Sequence, residues 1–177
     1  MSIFTTSKKK KLKKRQELCH DSGIFVEVHY VRETNNINNK FNTLALKSDP
    51  KRDKCNEWYE NHGNPNTYSE IVTTYFSEYN KDEKLLCEKV ALDNNYFSNL
   101  SKNKSYHPSK GEVIRVCFAF QLDYEETRRL LRCVDYALSN SQKEDLIIRF
   151  FIDINNYDIS DLNYVLNNFD LPKINEL

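Results

Sequence analysis

A mainly α-helical protein is what this sequence predicts, and three observations carry that expectation. From Thr67 onward, apolar residues recur at three- and four-residue spacing almost without interruption. The breaks between these stretches place capping residues such as Ser109, Asp123 and Asp158 just ahead of the next stretch. Residues 1–66 break the pattern, with a block of cations, a β-branched run and an Asn-rich stretch, which sets them apart as an appendage.

In order along the chain, "KKKKLKKR" (8–15) is a charge block with nothing to bury and is expected to be mobile. "GIFVEVHYV" (23–31) is Gly-started and β-branched, which predicts a strand. "PKRDKCNEWYENHG" (50–63) predicts a short helix carrying Trp58 and Tyr59, closed by Gly63, and 64–66 a linker. Thr67 with Glu70 forms a capping-box pattern ahead of a helix striped by Ile71, Val72, Tyr75, Phe76 and Tyr79. A second helix over about 81–91 buries Leu85, Leu86 and Val90. Asp93 is expected to cap a short third helix with Phe97 and Leu100 inward. Pro108 forbids helix just before it, and Ser109 caps a fourth over about 110–121. Asp123 caps a fifth, "YEETRRLLRCVDYAL"; "SQKEDLIIRFFIDI" and "ISDLNYVLNNF" follow, and Leu171-Pro172 ends the ordered part. Leu146, Ile147, Phe150, Phe151 and Ile154 occupy more than one face, so that helix is buried on several sides or meets a partner.

Bulk properties narrow the class. Hydrophobic content of 39% with mean hydropathy −0.74 gives a polar globular chain, and no apolar run reaches the roughly 20 residues of a membrane span. With no apolar leader at the N-terminus, the expectation is a soluble cytoplasmic protein. Five Cys occur without a C-x-x-C pair, and Cys87, Cys117 and Cys133, on apolar helix faces, read as small buried thiols in a reducing compartment. The many Asn, Lys, Ile and Tyr point to an AT-rich coding sequence, hence a low-GC bacterium or its phage. The zero formal charge is unevenly placed: 13 Lys/Arg against 8 Asp/Glu in 1–66, and 13 against 18 in 67–177. Only the front half attracts polyanions at long range.

The second, third and fourth helices, with a tight turn and a Pro-containing loop between them, make a helix-turn-helix order. Residues 81–131 resemble the lambda-repressor-like helix-turn-helix family, which includes Cro and xenobiotic-response-element-type regulators. The matching residues are Leu86, Cys87, Val90 and Leu92, then Phe97, Ser98 and Leu100, then Pro108, Val113, Ile114 and Ala119, with "FQLDYEETRRLL" as the closing segment. A longer likeness, Tyr68 to Ile174, is to a poorly characterised bacterial subgroup with two extra C-terminal helices. The resemblance implies a five-helix bundle plus two helices over residues 67–177, and it leaves residues 1–66 as a small basic α+β or partly disordered appendage.

What the resemblance implies for function is a non-enzymatic transcriptional regulator that binds double-stranded DNA. Its third helix would present Asn94, Asn95, Ser98, Asn99 and Lys102 to bases, Asn being able to pair bidentately with adenine. Lys104 and Lys110, with Lys8, Lys9, Lys10, Lys11, Lys13, Lys14 and Arg15 of the tail, are the phosphate-contact candidates. The sequence departs from the family at three points. Lys81, Asp82 and Glu83 stand where a Gln often braces the contact helix, Ala91 stands for the turn Gly, and the reading face has no Arg.

The alternative is a protein-binding adaptor or inhibitor of the bacterial defence or counter-defence (anti-CRISPR-like) kind. Its acidic back half, 3 Lys/Arg against 8 Asp/Glu over residues 135–177, would grip a basic partner through Phe151, Tyr157, Asp158, Asp161 and Tyr164. A homodimer through the same aromatic surface is also compatible. No Gly-rich phosphate loop, G-x-S-x-G or H-E-x-x-H is present, so no enzyme, cofactor or small-molecule substrate is expected. Cys19, His20, His29, Cys55 and His62 lack zinc-site spacing, so no metal is expected either.

Overall fold

The computed structural model describes residues 3–30, 67–79, 82–103 and 105–177. The expectations for residues 31–66, Trp58 and Tyr59 among them, and for Lys104 fall outside the described residues. The described chain is mainly helical, with no strand: α1 (Ile3–His29), α2 (Tyr68–Tyr79), α3 (Glu83–Val90), α4 (Tyr96–Leu100), α5 (Lys110–Phe120), α6 (Tyr124–Arg132), α7 (Lys143–Asp153), α8 (Ile159–Asn168) and a 3-10 turn, Ile174–Glu176.

Capping side chains start most of these helices. Thr67 and Glu70 exchange hydrogen bonds ahead of α2 (3.1 and 3.3 Å), and reciprocal boxes form between Ser109 and Glu112 and between Asp123 and Glu126. Asp82 accepts from the Lys84 and Leu85 amides, and Asp158 from those of Ser160 and Asp161. Each such cap satisfies donors that the first helical turn leaves open and contributes about 1 kcal/mol.

Five of the described helix ends share one design without glycine. Ala91, Gln121, Asp135, Asn155 and Asp170 all take positive φ, between 54° and 61°. At each, two backbone amides turn back onto the preceding turn, as from Ala91 and Leu92 to the Glu88 and Cys87 carbonyls, and from Gln121 and Leu122 to those of Phe118 and Cys117. A left-handed residue bearing a Cβ costs about 1 kcal/mol or more. Burial of the residue just after it, Leu92 or Leu122, offsets that cost.

Helix α5 is the centre of the fold. It touches α2, α3, α6 and the C-terminal 3-10 turn, and from Val113 to Phe120 only Arg115 is not buried. Gly111 allows the C-terminal turn to close over it, because a Cβ there would stand 2.1 Å from the Ile174 carbonyl oxygen. The chain therefore stays ordered past Pro172: Ile174 is buried, and its amide donates to Asn163 Oδ1 (2.9 Å). Helix α7 is buried on several sides, between α1, α6 and α8, which makes Leu146, Ile147, Phe150 and Phe151 core, while Ile154 just past its end is exposed.

Several local expectations need correction. The strand predicted for 23–31 is absent over 23–30; Gly23 to His29 belong to α1. Leu18, Ser22 and Val26, four residues apart, are buried, and Phe25 packs on Phe150 at 5.6 Å. Burial of that stripe against α7 and α8 outweighs the local β-propensity of Ile24, Val26 and Val28. From Arg15 onward, α1 is thus packed onto the bundle. The fifth expected helix ends at Arg132, since Asp135 turns left-handed, and Asp93 makes no cap at α4, whose start is satisfied from elsewhere.

Candidate nucleic-acid interface

Helices α3 and α4 touch and are joined by the five-residue turn 91–95. Tyr96, Phe97 and Leu100 pin α4 to the core, with Phe97 stacked on Phe76 at 5.0 Å and lying 5.4 Å from Phe120. The opposite side of α4 and its approach carry Asn94, Asn95, Ser98, Asn99 and Lys102, all exposed. The structure thus groups the five expected base-facing residues on one surface, but they are not equally free.

Ser98 is already used. Its amide donates to Glu83 Oε1 (2.8 Å) and its hydroxyl to Glu83 Oε2, so a carboxylate from the first turn of α3 caps α4. Glu83 does the bracing that an amide side chain would do without charge. The sequence signalled a misfit there, yet not that Glu83 itself would be the brace. The turn is held from behind as well: Arg115 Nη1 donates to the Ala91 carbonyl and its Nε to that of Gly111 (3.3 Å). Arg115, which sequence reasoning did not single out, is therefore a positioning residue for α4.

The cationic candidates divide into two groups. Lys14 and Arg15 are turned onto Asp161, with Lys14 Nζ to Oδ2 and Arg15 Nε to Oδ1 both at 2.8 Å. Arg15 also donates to Ser160 Oγ (2.6 Å), and its guanidinium lies 5.0 Å from the centre of the Tyr164 ring. Lys110 is likewise paired, to an Asp145 carboxylate that also accepts from the Ser139 amide (2.8 Å). Lys8, Lys9, Lys10, Lys11 and Lys13 are exposed on α1; the nearest ion pair among them is Lys13 with Glu17 at 3.8 Å. By helical spacing, Lys9 faces away from the side that holds Lys14, Arg15 and Leu18, whereas Lys10, Lys11 and Lys13 share a cleft with Lys14, Asp158 and Asp161.

Of the five residues expected at a partner surface, two are buried, two half-buried and Asp158 exposed. Phe151 is fully buried in the core, which removes it from any surface. Asp161 is buried under Lys14 and Arg15, and Tyr164 is half-buried beneath Arg15. Burial pushes the Asp161 carboxyl up, but its hydrogen bonds to Lys14 and Arg15 and their charges outweigh this and hold it below 3.8, its ordinary value. Tyr157 is half-buried and donates to the Leu122 carbonyl (3.0 Å), while Asp158 caps α8. Asp161 of the acidic back half thus grips Lys14 and Arg15 of the protein's own α1.

Thiol chemistry has no foothold in the core. Cys87 and Cys117 are fully buried, and burial pushes the Cys117 thiol up to about 12. Among the described residues no group of three or more His, Cys, Asp or Glu converges in the manner of a metal site, and no helix is long and apolar enough to cross a membrane. Comparison of the chain with protein-family models, with curated proteins and with solved structures finds no match.

Proposed function

We propose that this chain is a non-enzymatic DNA-binding transcriptional regulator of the helix-turn-helix kind, resembling the lambda-repressor-like family. The observation that carries the reading is the α3–turn–α4 unit, braced by Glu83 and Arg115, with Asn94, Asn95, Asn99 and Lys102 exposed along one side. The Asn side chains take the base-edge role, and Lys102 takes phosphate at the end of the helix. The lysines of α1 add a sequence-independent anchor. If about three of them reach phosphates, affinity falls roughly thirty- to sixtyfold between about 50 and 200 mM salt.

Fluorescence anisotropy on a labelled duplex of mixed sequence tests this. The reading expects Asn95→Ala combined with Lys102→Glu to weaken binding at least about tenfold, since a base pair contact carries about 1–3 kcal/mol. Unchanged binding by that variant sinks the assignment of α4.

A protein-binding adaptor is the second reading, and one observation favours it. Asp82, Glu83 and Asp93 place three carboxylates around the start of α3 and the approach to α4, where they repel phosphate and attract a basic protein surface. Charge decides between the two readings. Glu83→Gln keeps an acceptor for Ser98 and removes one negative charge, so it strengthens duplex binding if α4 meets DNA and weakens a complex with a basic partner if it does not.

A further inference from the structure

We propose that the cavity between α4, the loop before Pro108 and the first turn of α5 binds a small organic cation, of the class of protonated aryl-alkyl amines. The cavity measures about 240 Å³, at the small end for a ligand site, and Asp93, Tyr96, Asn99, Asn103, Tyr106 and Glu112 line it. Two kinds of wall meet there. Tyr96 and Tyr106 stand edge to face, with ring centres 6.2 Å apart and an angle of 82°, which offers ring surface to a cation or an aryl group. Asp93 and Glu112 supply carboxylates. Glu112 accepts from the Tyr106 hydroxyl (2.6 Å) and from the Ser109 amide (2.8 Å), and each oxygen keeps a further lone pair.

No cation lines this cavity among the described residues. The charge of Arg115 reaches both tyrosines and offsets part of that of Asp93 and Glu112, while its Nε and Nη1 are turned onto backbone carbonyls. Burial and the Glu112 carboxylate raise the Tyr106 phenol to about 12, and burial raises Tyr96 further, so both rings stay neutral. Tyr68 and Tyr96 share a single hydroxyl–hydroxyl contact of 3.0 Å deep in the wall. Negative charge, aromatic faces and small volume together select an amine over an anion or a neutral sugar.

The experiment uses the full chain without DNA, so its outcome is independent of the DNA-binding reading. Phenethylamine and its neutral isostere 2-phenylethanol are each titrated into labelled protein and followed by amide resonances. The proposal expects saturable binding of phenethylamine at about 1 mM or tighter, with shifts centred on Tyr96, Asn99, Asn103 and Tyr106, and at least about tenfold weaker binding of the alcohol. Asp93→Asn and Glu112→Gln, the second of which keeps the helix cap, are each expected to weaken the amine about fivefold or more. The proposal is overturned by equal binding of amine and alcohol, by unchanged amine affinity in both variants, or by no saturation up to about 10 mM.

Discussion

Replacing Asp161 with Asn tests whether α1 is held to the bundle by charge as well as by apolar contact. The side chain of Asp161 is 2% exposed and that of Arg15 19%, whereas Lys14 is 56% exposed. The Lys14 bond, open to water, contributes about 0–1 kcal/mol. Removing the carboxylate also strands the Arg15 guanidinium in a partly dry place. A fully buried pair broken in this way costs about 3–5 kcal/mol. Here the Ser160 hydroxyl and the Tyr164 ring still serve Arg15, so the expected loss is about 2–3 kcal/mol. With a urea slope of about 2 kcal/mol per M, the unfolding midpoint drops by about 1–1.5 M. Glu17→Gln removes the exposed Lys13–Glu17 pair and serves as the control, with an expected drop under about 0.5 M. Limited proteolysis should show the same order, with cleavage after Lys8 to Lys13 faster in Asp161→Asn. A midpoint no lower than that of the control would refute the charge latch and leave Leu18, Val26 and Phe25 as the sole fastening.

The remaining predictions are smaller in scope. Because the Asp161 carboxyl sits below 3.8 in the folded protein, its stabilising effect is complete above about pH 4 and is lost as pH falls through the lowered value; acid unfolding followed by circular dichroism should begin earlier in Lys14→Gln. Ala91→Gly relieves a left-handed Cβ at the α3 terminus and is expected to stabilise by about 0.5–1 kcal/mol, a rise in melting temperature of roughly 2–3 °C. Gly111→Ala drives a methyl into the Ile174 carbonyl and should release the C-terminal turn, seen as fast amide exchange at Ile174 and a loss of about 2 kcal/mol or more. Cys117 should resist thiol reagents until the protein unfolds, measured by mass spectrometry after a timed pulse of alkylating agent.

Much of the bundle was legible because its signals are local. Ser109 with Glu112, Asp123 with Glu126, and Asp158 each sit within one turn of the donors they cap. The stripe of Val113, Ile114 and Cys117 needs only the helical period to be read as core. What escaped depends on distance along the chain. Residues 23–29 read as a strand because Ile24, Val26 and Val28 favour extended backbone, while the contacts that make them helical come from α7 and α8. Arg15 and Asp161 are 146 positions apart, so nothing local in the sequence marks the contact that Lys14 and Arg15 make with Asp161. At α4 the exposed positions were correct, since Phe97 and Leu100 fix the inward side. The role of Glu83 was not, because its acidity suggested repulsion from a ligand and gave no sign of the bond to Ser98.

Mapping backbone amide shifts while a short AT-rich duplex is titrated into the labelled protein addresses the central claim most directly. The account predicts changes concentrated at Asn94 to Lys102, with a second, salt-sensitive group at Lys8 to Lys13. Shifts confined to α7 and α8, or none at low salt, would contradict it.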